Sequence, residues 1–268
     1  MSQSEAQILR QLAARLQRVL IIDQPAGARL LGDVLKDLGG RMIHVEATEK
    51  AAMAACRAID PQIIFTELNG PGYDGLSFVR GLRRGGLNCR MAPVIVVTQD
   101  ATAQTIMASR DAGVHEFLRK PFTVKDILRR LEAVTLKPRP WVEAMNYIGP
   151  DRRRFNSGDY KGSRKRKSDD RPPSQMDRIG QALKILRGAI DAIEADPIQA
   201  VRAIHAQLAE LQAVAVELSD IKLIEGVATL QRLLKAAVAS GRLTRADFEL
   251  GAAGLWAFKP PETPRTAA

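Results

Sequence analysis

The chain has 268 residues, with 40 Lys+Arg against 30 Asp+Glu and a formal net charge of +10. At ~100–200 residues per domain, that length allows one large domain or two small ones, and 46% hydrophobic with 26% charged residues excludes a mostly disordered chain. Aromatics at 4% are few for an all-β sandwich or a base-stacking RNA module, and no apolar run approaches the ~18 residues needed to span a bilayer. The N-terminal stretch carries Glu5 early and Arg10, Arg15 and Arg18 among its apolar positions, so it does not read as a signal peptide. The two cysteines, Cys56 and Cys89, make neither a metal spacing nor a disulfide framework. A cytoplasmic location is expected.

Elements follow in alternation through the first half. Arg18 to Asp23 is a short apolar run ending in an acid, which reads as a buried parallel strand. A helical pattern over about 25–39 stops at Gly39-Gly40. A strand at Met42–Val45, a helix at Ala47–Ile59 and a strand at Ile63–Thr66 come next, then the loop NGPGYDG. A helix at Leu76–Leu82, a strand at Pro93–Thr98, a helix over 102–112, a strand at His115–Arg119 and a helix at Thr123–Leu131 complete the series. Five βα units predict an α/β domain with a doubly wound, five-stranded parallel sheet, whose ligands gather at the carboxyl ends of the strands.

Asp23, Glu67, Thr98 and Lys120 fall at successive strand ends there. Two acids, a hydroxyl and a lysine around one crevice fit phosphoryl chemistry, since carboxylates accept phosphate or hold Mg²⁺ while hydroxyl and ammonium bind phosphate oxygens. Singly each has an ordinary reading: Asp23 as a helix cap, Lys120 as a surface lysine. Their joint order at consecutive strand ends is what carries weight.

The segments LIIDQP, IIFTELNGPGYDGL, PVIVVT and Lys120-Pro121-Phe122 resemble the CheY-like receiver domain of bacterial response regulators over roughly 17–135. The resemblance implies an aspartate as phosphoacceptor and two adjacent acids after the first strand. This chain has Glu67 and Gln24 at those places, and Phe117 at the position of the switch aromatic. Gln24 removes a charge from a site that must offer Mg²⁺ near-ideal octahedral geometry, so Mg²⁺ binding is expected to be poor. Glu67 reaches ~1.5 Å further than aspartate, and a displacement of ~1 Å can cost ~10²-fold in rate. The longer carboxylate is expected to point toward Thr98 or Lys120. Three readings stay open: a pseudo-receiver held in one active-like state, a vestigial scaffold, and residual phosphorylation at Glu67.

The charge is uneven: residues 1–136 hold 18 basic and 14 acidic side chains, 137–180 hold 12 and 6, and 181–268 hold 10 of each. In the middle stretch Tyr147, Phe155 and Tyr160 interleave with Arg152, Arg153 and Arg154 and with Arg164 and Arg166. Its Gly, Pro, Ser and Asn predict an irregular, extended segment. Guanidinium forks fit phosphate oxygens and the O6/N7 edge of guanine, guanidinium planes and tyrosine rings stack on bases, and Asp151, Asp159 and Asp169 offer acceptors to guanine N1 and N2. The runs Tyr147-Ile-Gly-Pro-Asp-Arg-Arg-Arg-Phe, Ser157-Gly-Asp-Tyr-Lys-Gly and Arg164-Lys-Arg-Lys-Ser-Asp169 resemble the arginine-rich tail of alphaproteobacterial Cle-type CheY-like proteins. That resemblance implies cyclic di-GMP as ligand. A nucleic acid or other polyanion, and a plain basic linker, are the alternatives.

Ser174-Gln-Met-Asp177 reads as a capping box opening a helix. Apolar stripes then predict that helix, a second after Asp196-Pro197 reaching Leu218, and a third from Ile221 to near Gly241. A helical bundle is expected, which serves as an interaction domain. His205 raises a phosphotransfer reading, but the residues after it lack the accompanying Lys and Gly, so an ordinary helix histidine is expected. Neutrality of 181–268 argues against duplex DNA, and no nucleophile elbow, metal cluster or Walker loop is present in the sequence.

The resulting division is 1–136 receiver-like with a helical lead-in, 137–173 arginine-rich, 174–251 helical, and 252–268 a disordered tail. The reading is a non-enzymatic adaptor: a phosphorylation-deficient receiver that binds cyclic di-GMP and relays this to a protein partner, of the signalling or motility apparatus. A phosphorylation-responsive regulator and a nucleic-acid-binding regulator remain the alternatives.

Overall fold

The computed structural model describes residues 3–152 and 174–258, which divide into two compact units. The first unit begins with helix α1 (Gln3–Arg15) and then alternates β1 (Arg18–Ile22), α2 (Pro25–Asp37), β2 (Met42–Glu46), α3 (Glu49–Ile59) and β3 (Ile63–Thr66). A tight hairpin of β4 (Asn69–Gly70) and β5 (Tyr73–Asp74) leads into α4 (Gly75–Arg84) and a 3-10 turn at Asn88–Met91. β6 (Val94–Thr98), α5 (Ala103–Asp111), β7 (Glu116–Arg119) and α6 (Val124–Thr135) follow, then two short paired strands, β8 (Trp141–Glu143) and β9 (Ile148–Pro150).

Five of these strands form one parallel sheet in the order β2-β1-β3-β6-β7. The doubly wound expectation is met, and the order reverses between β1 and β3, where such sheets place their ligand crevice. The period of two along a strand sends alternate side chains to opposite layers. Val19, Ile21, Ile63, Phe65, Ile95 and Leu118 pack with Leu12, Leu35 and Leu131 on one face. Leu20, Ile22, Ile64, Val96 and Phe117 pack with Cys56, Phe78 and Leu82 on the other. Both faces are covered, which is why the central strands read as unbroken apolar runs.

The helix starts follow local chemistry. Thr48, Thr102 and Thr123 each accept a hydrogen bond from a backbone N–H in the first turn, and Thr123 with Asp126 closes a reciprocal capping box.

The second unit contains α7 (Gln175–Asp191), α8 (Pro197–Leu218), α9 (Ile221–Ser240), α10 (Arg245–Gly251) and α11 (Ala253–Trp256) around one apolar core. The capping box at Ser174 and Asp177 is present as expected. Residues 143–146 belong to this unit: Gln199 Nε2 donates to Glu143 Oε1 at 3.1 Å, and Gln207 Nε2 to the Glu143 carbonyl at 3.2 Å.

Two expectations are corrected. Residues 137–152 are not an irregular extended stretch; they form β8 and β9 and bury Tyr147 and Ile148, because the aromatic and β-branched side chains of this stretch find apolar cover. The predicted tail over 252–268 begins too early, since Ala252 and Leu255 are fully buried in the helical core. Residues 153–173 and 259–268 lie outside the described residues. Among the described residues, no helix is long and apolar enough to cross a membrane.

Candidate functional site

The strand-end residues converge. Asp23 follows β1, Glu67 follows β3, and Lys120 follows β7, so the parallel register brings three separate segments to one rim. Lys120 Nζ donates to Glu67 Oε2 at 2.5 Å and to Asp23 Oδ2 at 2.8 Å. These side chains retain only 14–19% of their accessible surface. The remaining carboxylate oxygens are used locally: Asp23 Oδ1 accepts the Gln24 N–H at 2.7 Å, and Glu67 Oε1 accepts the Leu68 N–H at 2.8 Å. Burial lowers the Lys120 ammonium, but its hydrogen bonds to Asp23 and Glu67 outweigh that and hold it above its ordinary value.

The other expected residues sit around this clamp. Gln24 is the N-cap of α2, with extended backbone and no side-chain cap bond. Thr98 is buried, and its hydroxyl accepts the Asp100 N–H at 3.3 Å. Of the two contacts expected for the longer Glu67, the one formed as an ion pair is to Lys120. Phe117 is buried in the sheet core. Gly75 permits the local backbone path: a Cβ there would lie 2.2 Å from the Glu67 carbonyl oxygen. Tyr73 was visible only as part of the glycine-rich loop. It donates its hydroxyl to the Ile22 carbonyl at 2.9 Å, and burial together with the charges of Asp23 and Glu67 pushes its phenol up.

Mg²⁺ demands several oxygens in octahedral array. Here two carboxylates are bound to one ammonium, and the residue that follows Asp23 is the neutral Gln24. Among the described residues, no group of three or more His, Cys, Asp or Glu is placed to hold a metal ion. This donor set fits Mg²⁺ poorly.

A second constellation lies at the amino ends of the strands, and the sequence reading missed it. Arg83, at the end of α4, is 1% exposed. Its Nη1 donates to the carbonyls of Arg90 at 2.5 Å and Ala92 at 3.0 Å; Nε and Nη2 donate to Gly113 at 3.2 and 3.1 Å. Burial draws the guanidinium down to about 9, still protonated at neutral pH. His115 Nδ1 accepts the Val94 N–H at 3.2 Å and faces Arg83 Nη2 at 3.3 Å, which assigns the neutral tautomer with its proton on Nε2. Burial, then Arg83 and Arg139, hold that imidazole well below its ordinary value. The guanidinium carbon of Arg83 stands 5.2 Å from the centre of the Trp141 ring.

The first residues of the arginine-rich motif attach beside this node. Gly113, at φ +90°, lies so close to the Ile148 carbonyl that a Cβ would come within 2.4 Å of it. Arg139 donates to the His115 carbonyl and, at 2.9 Å, to the Asp151 carbonyl. Tyr147 is buried and donates its hydroxyl to the Pro150 carbonyl at 2.5 Å. Burial pushes its phenol up to about 12. Arg152 stacks 4.3 Å above the Tyr147 ring and donates to Asp111 Oδ1 at 3.1 Å. Of the residues expected to contact cyclic di-GMP, Tyr147, Asp151 and Arg152 are therefore close together. Arg153, Arg154, Asp159, Tyr160, Arg164, Arg166 and Asp169 lie outside the described residues. His205 is exposed on α8.

Residues 19–132 match the response regulator receiver domain. The chain is similar to the KDP operon transcriptional regulatory protein KdpE of Escherichia coli, 30% identical over 135 residues, which are 48% of this chain and 58% of KdpE. It is also similar to the probable chemotaxis protein CheY of Rhizobium etli, 24% identical over 123 residues, or 46% of this chain and 95% of that protein. Among solved structures, the chemotaxis response regulator CheY4 of Vibrio cholerae aligns with a TM-score of 0.41 at 22% identity, over 44% of this chain and 98% of that one. This chain thus spans less than two thirds of KdpE, and each shared segment is under half of this chain. The matched span, residues 19–132, runs from β1 to α6 of the first unit.

Proposed function

We propose that the chain is a non-enzymatic signalling adaptor whose receiver pocket is held closed by an internal lysine clamp instead of being switched by phosphorylation. In this reading the arginine-rich stretch takes cyclic di-GMP and relays its presence to a protein partner. The observation that carries the first part is Lys120 bonded to both Asp23 and Glu67. The carboxylates that would hold Mg²⁺ and accept phosphate are neutralised together, Gln24 adds no charge, and the extra methylene of Glu67 would carry its oxygens off an in-line path.

The ligand part rests on the resemblance of residues 147–169 to Cle-type tails. It is supported by Arg152, which is partly exposed and stacked on an aromatic ring. A guanidinium so placed presents a fork to phosphate.

Two experiments on the full chain test the parts separately. Calorimetric titration of cyclic di-GMP at physiological salt should show saturable binding, absent for GTP and lost when Arg152, Arg153 and Arg154 are changed to Ala. Equal weak binding of both nucleotides, or stronger and steeply salt-dependent binding to DNA or RNA, would instead favour a nucleic-acid patch. Adding Mg²⁺ with beryllofluoride should leave the amide spectrum of the first unit unchanged. Chemical-shift changes at Glu67, Thr98 and Lys120 would return the domain to the phosphorylation-responsive class.

A further inference from the structure

Neither the pocket nor the arginine-rich stretch uses the two thiols of the chain. Cys56 lies near the end of α3 and Cys89 in the 3-10 turn at Asn88–Met91; both are free and buried. Cys89 Sγ donates at 3.7 Å to the Cys56 carbonyl oxygen, which brings the two residues side by side in one buried cluster. The contact acts on them in opposite senses. Hydrogen bonding from Cys56 pulls the Cys89 thiol down, whereas the same contact and burial push the Cys56 thiol up. A cavity of about 340 Å³ reaches Cys89, with Arg18, Asp60, Asn88 and Pro93 on its walls. A water molecule takes ~30 Å³, so a small hydroperoxide has room there.

We propose that Cys56 and Cys89 form a modification site, in which a hydroperoxide entering this cavity converts the two thiols into a disulfide joining α3 to the 3-10 turn. Cys89, as thiolate, attacks the outer peroxide oxygen; the O–O bond breaks, a sulfenic acid forms, and the released hydroxide or alkoxide takes a proton to leave as water or alcohol. The Cys56 sulfur then attacks the sulfenic sulfur, the S–S bond forms, and the sulfenic oxygen leaves as water with the Cys56 proton. Two thiols are oxidised by two electrons while one hydroperoxide is reduced. The roles follow from position: Cys89 faces the cavity and has the more accessible thiolate, whereas Cys56 is the resolving thiol behind it. The cross-link bears on the rest of the domain, because the carbonyls of Arg90 and Ala92, which hold Arg83, are in or next to the turn it would fix.

The test uses the full chain and hydrogen peroxide. After equimolar treatment, quenching and denaturation, the count of free thiols should fall from two to none, and a non-reducing proteolytic map should join the Cys56 and Cys89 peptides within one chain. With Cys56→Ser, Cys89 should stop at a sulfenic acid trapped by a 1,3-diketone; with Cys89→Ser, Cys56 should stay reduced. Circular dichroism checks that both variants fold, and the wild-type map decides independently of them. Survival of both thiols, cross-links only between chains, or Cys56 reacting first would overturn the proposal.

Discussion

At the carboxyl ends of the sheet, Lys120 is shared between two carboxylates; at the amino ends, Arg83 is surrounded by backbone carbonyls and a neutral imidazole. Both are cations largely withdrawn from water, yet the two arrangements differ in kind. The first is a cluster of three formal charges, two negative and one positive. The second spreads one charge over dipoles that do not titrate near neutral pH. The clamp is therefore the part of this unit that substituting a charge alters most, and the Arg83 node is the part that fixes geometry. Its position explains what it fixes: Trp141 packs over it, and Gly113, whose carbonyl it binds, lies against Ile148.

The sharpest way to break the comparison is Arg83→Met. Methionine fills much of the space but leaves the carbonyls of Arg90, Ala92 and Gly113 without their donor. Each such loss costs ~1–3 kcal/mol, so the total is expected at roughly 3–5 kcal/mol by equilibrium urea unfolding. The emission of Trp141, followed in a Trp256→Phe background, should shift to the red as β8 and β9 loosen. A loss below about 1 kcal/mol would mean that the node is not what holds this segment.

Lys120→Met should cost less, about 2 kcal/mol at neutral pH, because the acids it leaves facing each other retain some water. Glu67→Gln in the same chain should restore most of that deficit, because it removes one of the two facing charges. The folded Lys120 value is raised above that of the unfolded chain. Its stabilisation is thus fully present below the unfolded value near 10.5 and is lost as pH rises through the folded one. Wild type should lose this alkaline contribution, and Lys120→Met should have none to lose.

The two ends were unequally legible in the sequence. Asp23, Glu67, Thr98 and Lys120 each follow an apolar run, and parallel strands deliver their last residues to one rim, so local pattern and topology sufficed. What they did not reveal was that Lys120 binds both acids at once, since that depends on side-chain reach across the rim. Arg83 carries no comparable signal. It sits among Arg80, Arg84 and Arg90 as one basic residue of several, and only the packing of the 3-10 turn and the Gly113 loop buries it. Tyr147 was read as a base-stacking aromatic, but Ile148 beside it was the clue to a buried strand. The capping box at Ser174 was legible because it needs only four consecutive residues.

His115 offers a finer test of the Arg83 end. Its folded value lies well below 6.5, so below pH 6.5 the unfolded chain binds a proton that the folded chain refuses. Stability should fall as pH drops, by ~1 kcal/mol between pH 7 and 5.5. Glu116, whose carboxyl burial raises, works against this: its share falls as pH rises above the ordinary glutamate value. Arg130 at 3.5 Å and Arg139 face these groups and stay charged throughout. Comparing wild type with His115→Gln, which retains an acceptor for the Val94 N–H, isolates the histidine. Equal pH slopes for the two proteins would place the protonation elsewhere.

Arg152 completes the series. Lys120 is held by two carboxylates and Arg83 by several carbonyls, whereas Arg152 has, among the described residues, the Tyr147 ring and the half-exposed carboxylate of Asp111. Burial raises that carboxyl, but hydrogen bonds from Arg110 and Arg152 outweigh it and hold the group below its ordinary value. An exposed ion pair of this kind contributes ~0.2–1 kcal/mol. Of the three cations, Arg152 is thus the easiest to recruit to an incoming phosphate, and Asp111 is its competitor. Under the ligand reading, Asp111→Asn should tighten cyclic di-GMP by roughly two- to five-fold, the size of the pair it removes, while leaving urea stability nearly unchanged. Weaker binding in that variant would mean that Asp111 positions Arg152 for the ligand, and an unchanged constant would take Arg152 out of the binding site altogether.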